Sequence, residues 1–277
     1  MTKKLFLFSL ILIIICSESK LFANVSDNKV RYIDVVFEQI GIETDIVFGE
    51  SVNEKGETEK LKLDIYRPEG DKLKKRPVIV WIHGGGFRPG NDKTQSYIVE
   101  MASRFARKGY VCLSIDYRVR ENPKENIEST IADAVADAHK ALAWLRKNGK
   151  SLKVDTSKII IGGGSAGGIL GSNLCFNNKF SDDYDKAGIL GFVNLWGSPG
   201  AGWGEIEVEK NSLPTIIVHG TEDALVAYEN SVKLVEKLNG YGIRNELVTL
   251  EGAGHTPVKY MDDFEKKIAA FLYEIIK

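Results

Sequence analysis

KIIIGGGSAGGILGSN, residues 158–173, carries a strand, a turn and the start of a helix in one run. After Lys158 come Ile159, Ile160 and Ile161, a short β-branched stretch of the kind found where a strand is buried on both faces of a parallel sheet. Gly162, Gly163 and Gly164 follow at once, then Ser165, and Ala166, Gly167 and Gly168 open a small apolar helical pattern. Residues 163–167 fit G-x-S-x-G, a sharp strand-to-helix turn that lifts a serine hydroxyl above the sheet. Glycine is needed around such a turn because the backbone is strained and strand and helix pass too close for Cβ atoms. The same letters spell G-x-G-x-x-G across Gly162, Gly164 and Gly167, a dinucleotide fingerprint in the same strand–helix context. That fingerprint expects an acidic residue about 20 positions on, at the end of a second strand. Asp182, Asp183 and Asp185 stand near that spacing but fall in a polar loop. Alone, the motif leaves a serine nucleophile, a nucleotide loop and a plain glycine turn all open.

The flanking elements supply the context. Apolar alternation at 42–48 and 60–66, around a polar stretch at 49–59, predicts a hairpin. Further strands are predicted at 78–82, 111–115, 159–161, 189–195, 215–218 and 246–250. Helices are predicted at 95–108, 127–148, 165–177, 228–238 and 260–276, where apolar residues recur with a 3.6-residue period. The clearest stripe is Ile131, Val135, Ala138, Leu142 and Leu145. Alternating strands and helices mean a mostly parallel sheet of about eight strands, covered on both faces, with functional loops at the carboxyl ends of the strands.

Three of those loops carry residues suited to acyl transfer. Directly after the strand at 78–82 comes His83-Gly84-Gly85-Gly86-Phe87. Glycines there can turn backbone N–H groups inward, as an oxyanion requires, and HGGG is a form this loop takes in lipases and esterases. Gly85, Gly86 and Ala166 are the candidate donors, and His83 is read as an anchor of the loop. A serine near neutral pH needs a base, itself oriented by a carboxylate. Of the four histidines, His139 falls mid-helix and reads as a solvated or satisfied side chain, while His219 ends a strand and reads as packing there. His255, in the glycine-flanked loop after the last strand, is the candidate base. Asp223 follows the penultimate strand and is the candidate acid, with Glu222 as its competitor. The order Ser165, Asp223, His255 and the position of each after a strand favour the nucleophile reading.

At the other end, MTKKLFLFSLILIIIC has two lysines followed by an apolar run from Leu5 to Cys16, too short for a spanning helix. Residues 1–23 are expected to be a secretory signal and 24–277 a single domain, secreted or periplasmic. Lipidation at Cys16 is the alternative. The net charge of -1 and a pI of about 6.5 predict neither nucleic-acid nor membrane-surface binding. Cys112 and Cys175 lie in apolar contexts and read as small buried hydrophobes, with no disulfide framework and no metal-ligand spacing. No metal or cofactor is expected.

Taken together, LKLDIYRPEG, PVIVWIHGGGF, SIDYRV, DAVADAHKALAWLRKN, VDTSKIIIGGGSAGG, HGTED and GAGH resemble an α/β-hydrolase of the carboxylesterase and hormone-sensitive-lipase-like group. The chain is most similar to exported bacterial esterases that remove acetyl or feruloyl groups from plant polysaccharides. The resemblance implies the α/β-hydrolase fold, with Ser165 as nucleophile, Asp223 as acid and His255 as base. It also implies that Asp116, Arg118, Asp133 and Asp137 form scaffold ion pairs. Only about 20 residues separate the strands ending at Leu195 and starting at Thr215, where lids usually insert. A minimal lid and an open site fit a short-chain or aromatic acyl ester on a polysaccharide or smaller carbohydrate. Phe87, Trp196 and Trp203 are candidate pocket residues. The alternatives are a serine peptidase of the same fold and a non-catalytic binding protein.

Overall fold

The computed structural model describes residues 28–176, 180, 184–200, 202–203 and 206–277. The N-terminal signal reading, Cys16 included, and Asp182 and Asp183 lie outside the described residues. The elements are β1 (Ile40–Val52), β2 (Thr58–Pro68), β3 (Val78–Ile82), α1 (Ser96–Arg107), β4 (Val111–Ile115) and α2 (Ile127–Leu152), followed by β5 (Ile159–Gly164) and α3 (Ala166–Cys175). The chain then continues through β6 (Ile189–Leu195), β7 (Thr215–Gly220), α4 (Tyr228–Gly240), β8 (Asn245–Leu250) and α5 (Met261–Ile276).

The strands form one sheet in the order β1-β2-β4-β3-β5-β6-β7-β8. β1 pairs antiparallel with β2, and β2 with β4; every other neighbour pair is parallel. The period-two alternation of a strand divides the core in two. Val78, Val80 and Ile82 face the cluster that holds α2, α3 and α4. Ile79 and Trp81 face the cluster that holds α1 and α5. Because the central strands are buried on both faces, they read as nearly continuous apolar runs. β1 is one of the two edge strands, β8 being the other, and leaves Ile42, Val47 and Val52 exposed.

A buried ion pair ties the hairpin to α2. Arg118 Nε donates to Asp137 Oδ2 at 2.7 Å, and Ser51 Oγ donates to Asp137 Oδ1 at 2.6 Å. Arg118 also pairs with Asp133 at 2.9 Å. Asp116 departs from the expected set. It makes no ion pair among the described residues and accepts instead from the backbone N–H of Lys93 at 2.9 Å. Burial, only partly offset by that bond, pushes the Asp116 carboxyl up to about 6.

Candidate active site

β3, β5, β7 and β8 run parallel and deliver four loops to one end of the sheet. Ser165 sits between β5 and α3 with φ 54° and ψ -120°, a left-handed conformation costly for a residue with a Cβ. Its N–H donates to Leu195 O at 2.9 Å, which fastens the turn to the end of β6. Gly167 makes the turn possible, since a Cβ there would lie 2.1 Å from the carbonyl oxygen of Ile82. Strained backbone held by its surroundings on both sides is how a fold presents one side chain in a fixed direction.

Ser165, His255 and Asp223 come together in that order. Nε2 of His255 is 2.8 Å from Ser165 Oγ, and Nδ1 is 2.7 Å from Asp223 Oδ2. With a carboxylate on the Nδ1 side, that nitrogen carries the proton and Nε2 is left to accept from the serine. Asp223 Oδ1 accepts from the N–H groups of Leu225 and Val226, both at 2.9 Å. Burial pushes the Asp223 carboxyl up, but the Val226 N–H, the His255 ring and the Leu225 N–H together outweigh it and hold the group below the ordinary carboxylate value. The competing Glu222 is exposed, and its side chain makes no hydrogen bond or ion pair among the described residues.

The glycine loop stands opposite. Gly84 N–H is already taken, donating to Gln95 Oε1 at 2.7 Å. Gly85 and Gly86 have φ of 109° and 64°, conformations that favour glycine. The N–H groups of Gly85, Gly86 and Ala166 donate to no protein acceptor among the described residues, and these are the three expected donors. His83 anchors the loop: its Nδ1 is 2.7 Å from Gly84 O and its ring stacks on Tyr117 at 4.3 Å. Burial pushes His83 down to about 4, so it stays neutral.

Serine and histidine open onto a cleft of about 1010 Å³. Phe87 and Trp203 line it, with rings stacked 5.4 Å apart, and Ile169 and Leu225 add apolar surface. Trp196 does not line the cleft. It is fully buried on the other face of the sheet, where it packs on Tyr97 and Phe264.

Residues 63–188 match the BD-FAE family model, and residues 203–277 match the prolyl oligopeptidase family. The chain is similar to esterase LipC of Mycobacterium tuberculosis, 26% identical over 70% of this chain and 56% of LipC. It is 30% identical to gut esterase 1 of Caenorhabditis elegans over 47% of this chain and 23% of that protein. Esterase 2 of Thermogutta terrifontis, solved with propionate bound, superposes with a TM-score of 0.68 at 27% identity, covering 85% of this chain and 94% of that one. The same esterase is solved phosphorylated by paraoxon. The chain has the α/β-hydrolase fold, and these relatives and solved structures are esterases. It spans about half the length of LipC and about a quarter of gut esterase 1.

Two histidines of this α/β-hydrolase differ from their sequence reading. His139 is neither solvated nor fully satisfied: it is buried against Tyr184 at 4.0 Å, and its Nε2 makes no hydrogen bond among the described residues. His219 does more than pack, because its Nε2 lies 3.2 Å from the Asp223 carboxylate. The signal for it was the spacing of four residues between His219 and Asp223 across a strand end. Cys112 and Cys175 are both buried and free, and burial pushes each thiol up. Among the described residues no group of three or more His, Cys, Asp or Glu is placed to hold a metal.

Proposed function

We propose that the chain is a serine esterase that removes short or aromatic acyl groups from a carbohydrate through an acyl-enzyme intermediate. The observation that carries the proposal is the unbroken line Ser165–His255–Asp223, opening onto a cleft beside three uncommitted N–H donors. Ser165 Oγ attacks the ester carbonyl carbon while His255 Nε2 takes its proton. The carbonyl oxygen, now negative, is held by the N–H groups of Gly85, Gly86 and Ala166. The intermediate collapses, the sugar oxygen leaves with the proton from His255, and the acyl group remains on Ser165. Water then repeats the sequence, giving the free acid and restoring the serine. Asp223 keeps Nδ1 protonated throughout and stabilises the transient imidazolium.

A short acyl side follows from what covers the cleft. The described residues of 196–214 form no helix, and Glu207, Glu209 and Lys210 there offer little apolar surface for a long-chain groove. The propionate bound to the Thermogutta esterase is consistent with a small acyl pocket. On the other side Arg88, Asn91, Gln95, Lys124 and Asn230 give a wettable wall suited to hydroxyl-rich leaving groups. The N-terminal apolar run supports export, where such substrates are met. The match of residues 203–277 to the prolyl oligopeptidase family supports a second reading, peptide hydrolysis by the same three side chains.

The test is kcat/KM for p-nitrophenyl acetate, butyrate, octanoate and palmitate, alongside peptide p-nitroanilides and acetylated and feruloylated polysaccharides. The expected result is a maximum at acetate to butyrate, a steep fall by octanoate, and release of acetic or ferulic acid from polymer. A maximum at octanoate or longer would overturn the carbohydrate reading. Turnover of anilides exceeding that of esters would favour the peptidase.

A further inference from the structure

Behind Asp223 four polar side chains are fully buried: His219, Ser231, Ser198 and Asn194. Their distances form a chain. His219 Nε2 is 2.9 Å from Val226 O and 3.2 Å from Asp223 Oδ2, and His219 Nδ1 is 2.6 Å from Ser231 Oγ. Ser231 Oγ is 2.7 Å from Ser198 Oγ, which accepts from Asn194 Nδ2 at 3.1 Å. Asn194 Oδ1 closes the far end by accepting from Gly197 N–H at 3.0 Å.

The direction of every proton is forced. Val226 O and the Asp223 carboxylate only accept, so Nε2 of His219 must carry hydrogen. Burial disfavours the charged ring, which leaves Nδ1 bare and obliges Ser231 to donate to it. Ser231 has a single proton, so it must accept from Ser198, and Ser198 in turn accepts from the Asn194 amide. No link can be reversed without setting two acceptors or two donors face to face inside the protein, where an unmade hydrogen bond is costly.

Both ends of this chain touch the candidate machinery. One end is the oxygen of Asp223 that also receives the His255 N–H. The other end, Gly197, lies against the serine turn, where a Cβ would be 2.5 Å from Ser165 O and 2.5 Å from the Cα of Gly168.

We propose that His219 is a positioning residue for Asp223. Held as the neutral Nε2–H tautomer by Ser231, Ser198 and Asn194, it fixes the carboxylate oxygen that orients His255. The consequence for catalysis rests on the esterase reading above, but the protonation pattern does not. Without the chain, Asp223 keeps its two backbone N–H donors and its bond to His255 but loses the side-chain support beneath Oδ2. The carboxylate can then rock about its Cβ–Cγ bond. Such looseness degrades the reacting geometry more than substrate binding, so kcat should fall while KM stays.

Two measurements test this. Imidazole nitrogen chemical shifts of the unsubstituted protein should show His219 neutral and protonated on Nε2 at pH 7 and above. An Nδ1–H tautomer, or a charged ring, at those pH values overturns the proposal whether or not any variant folds. In steady-state kinetics on p-nitrophenyl acetate, His219→Phe should lower kcat about 10- to 100-fold with KM within about twofold. His219→Gln, whose amide again donates toward Val226 and Asp223, should recover most of that loss, and Ser231→Ala should fall between the two. A folded His219→Phe protein with kcat within twofold of the unsubstituted enzyme also overturns it. If the tautomer is as stated but no ester is turned over by the unsubstituted protein, the buried chain stands and the esterase reading fails.

Discussion

Two carboxylates, Asp137 under the hairpin edge and Asp223 at the carboxyl ends of the strands, have fully buried side chains with every oxygen engaged. Asp137 is surrounded by a permanent cation: Arg118 reaches it through Nε, Nη2 and its own backbone N–H, at 2.7, 3.0 and 3.0 Å. Asp223 receives two backbone N–H groups and two imidazole rings, and among the described residues no lysine or arginine pairs with it. In the first case the negative charge is neutralised once, at folding. In the second, under the proposed mechanism, it remains available for an imidazolium that exists only while a proton is in transit. The same residue type thus joins a strand to a helix in one place and is proposed to serve chemistry in the other, according to whether its partner can titrate.

The largest effect that separates the two sites is on turnover. Asp223→Asn should lower kcat/KM on p-nitrophenyl acetate by roughly 10³ or more, because the amide no longer holds His255 in the productive tautomer. Its exposed neighbour, as Glu222→Gln, should change it by less than about twofold. Were the two effects reversed, Glu222 would have to be the acid. Asp137→Asn should do the opposite of Asp223→Asn. It leaves a partly buried guanidinium with Asp133 as its remaining carboxylate partner, so chemical denaturation should show a loss of about 1–3 kcal/mol, with kcat within about threefold of the parent. A large fall in kcat without loss of stability would abolish the distinction.

Asp116 sharpens the comparison further, as a half-buried carboxylate that makes no ion pair among the described residues and feels the nearby Lys93 charge only through space. Its value in the folded protein is raised to about 6 from an ordinary 3.8. The unfolded chain therefore releases this proton first, and the folded state loses stability as pH rises through that window. Asn keeps the acceptor for Lys93 N–H and removes the ionisation. Asp116→Asn should thus gain stability relative to the parent between about pH 4 and pH 6, with the difference constant above and below. Melting curves across that range would show it, and a difference independent of pH would contradict it.

Much of this was legible in the letters, for physical reasons. Strands at 78–82, 111–115 and 189–195 have the ends the sequence predicts because burial on both faces gives nearly continuous apolar runs, broken only by Ser114, Gly191 and Asn194. The edge strand β1 was read as 42–48 but runs Ile40–Val52, since a half-exposed edge tolerates charged residues that blur the alternation. β5 continues through Gly164, beyond the last isoleucine, because glycine carries no hydropathy signal. Ser165, Asp223 and His255 stood out because each follows a strand in a recognisable loop. Ser231, Ser198 and Asn194 could not stand out. They are ordinary polar letters made unusual by burial, which no local pattern reports. Trp196 shows the converse error, since its place just after a strand suggested the cleft while its positive φ of 43° accompanies a side chain buried on the far face.

If Ser165 is an activated nucleophile, covalent labelling reports it without assuming a substrate. Incubation with paraoxon, followed by intact mass measurement and peptide mapping, should find one diethylphosphoryl group per chain, on the peptide that contains Ser165, with ester hydrolysis lost in proportion. Ser165→Ala should take up none and should retain less than about a thousandth of the activity. An unlabelled but active enzyme, or a label on another residue with activity persisting in Ser165→Ala, would contradict the account.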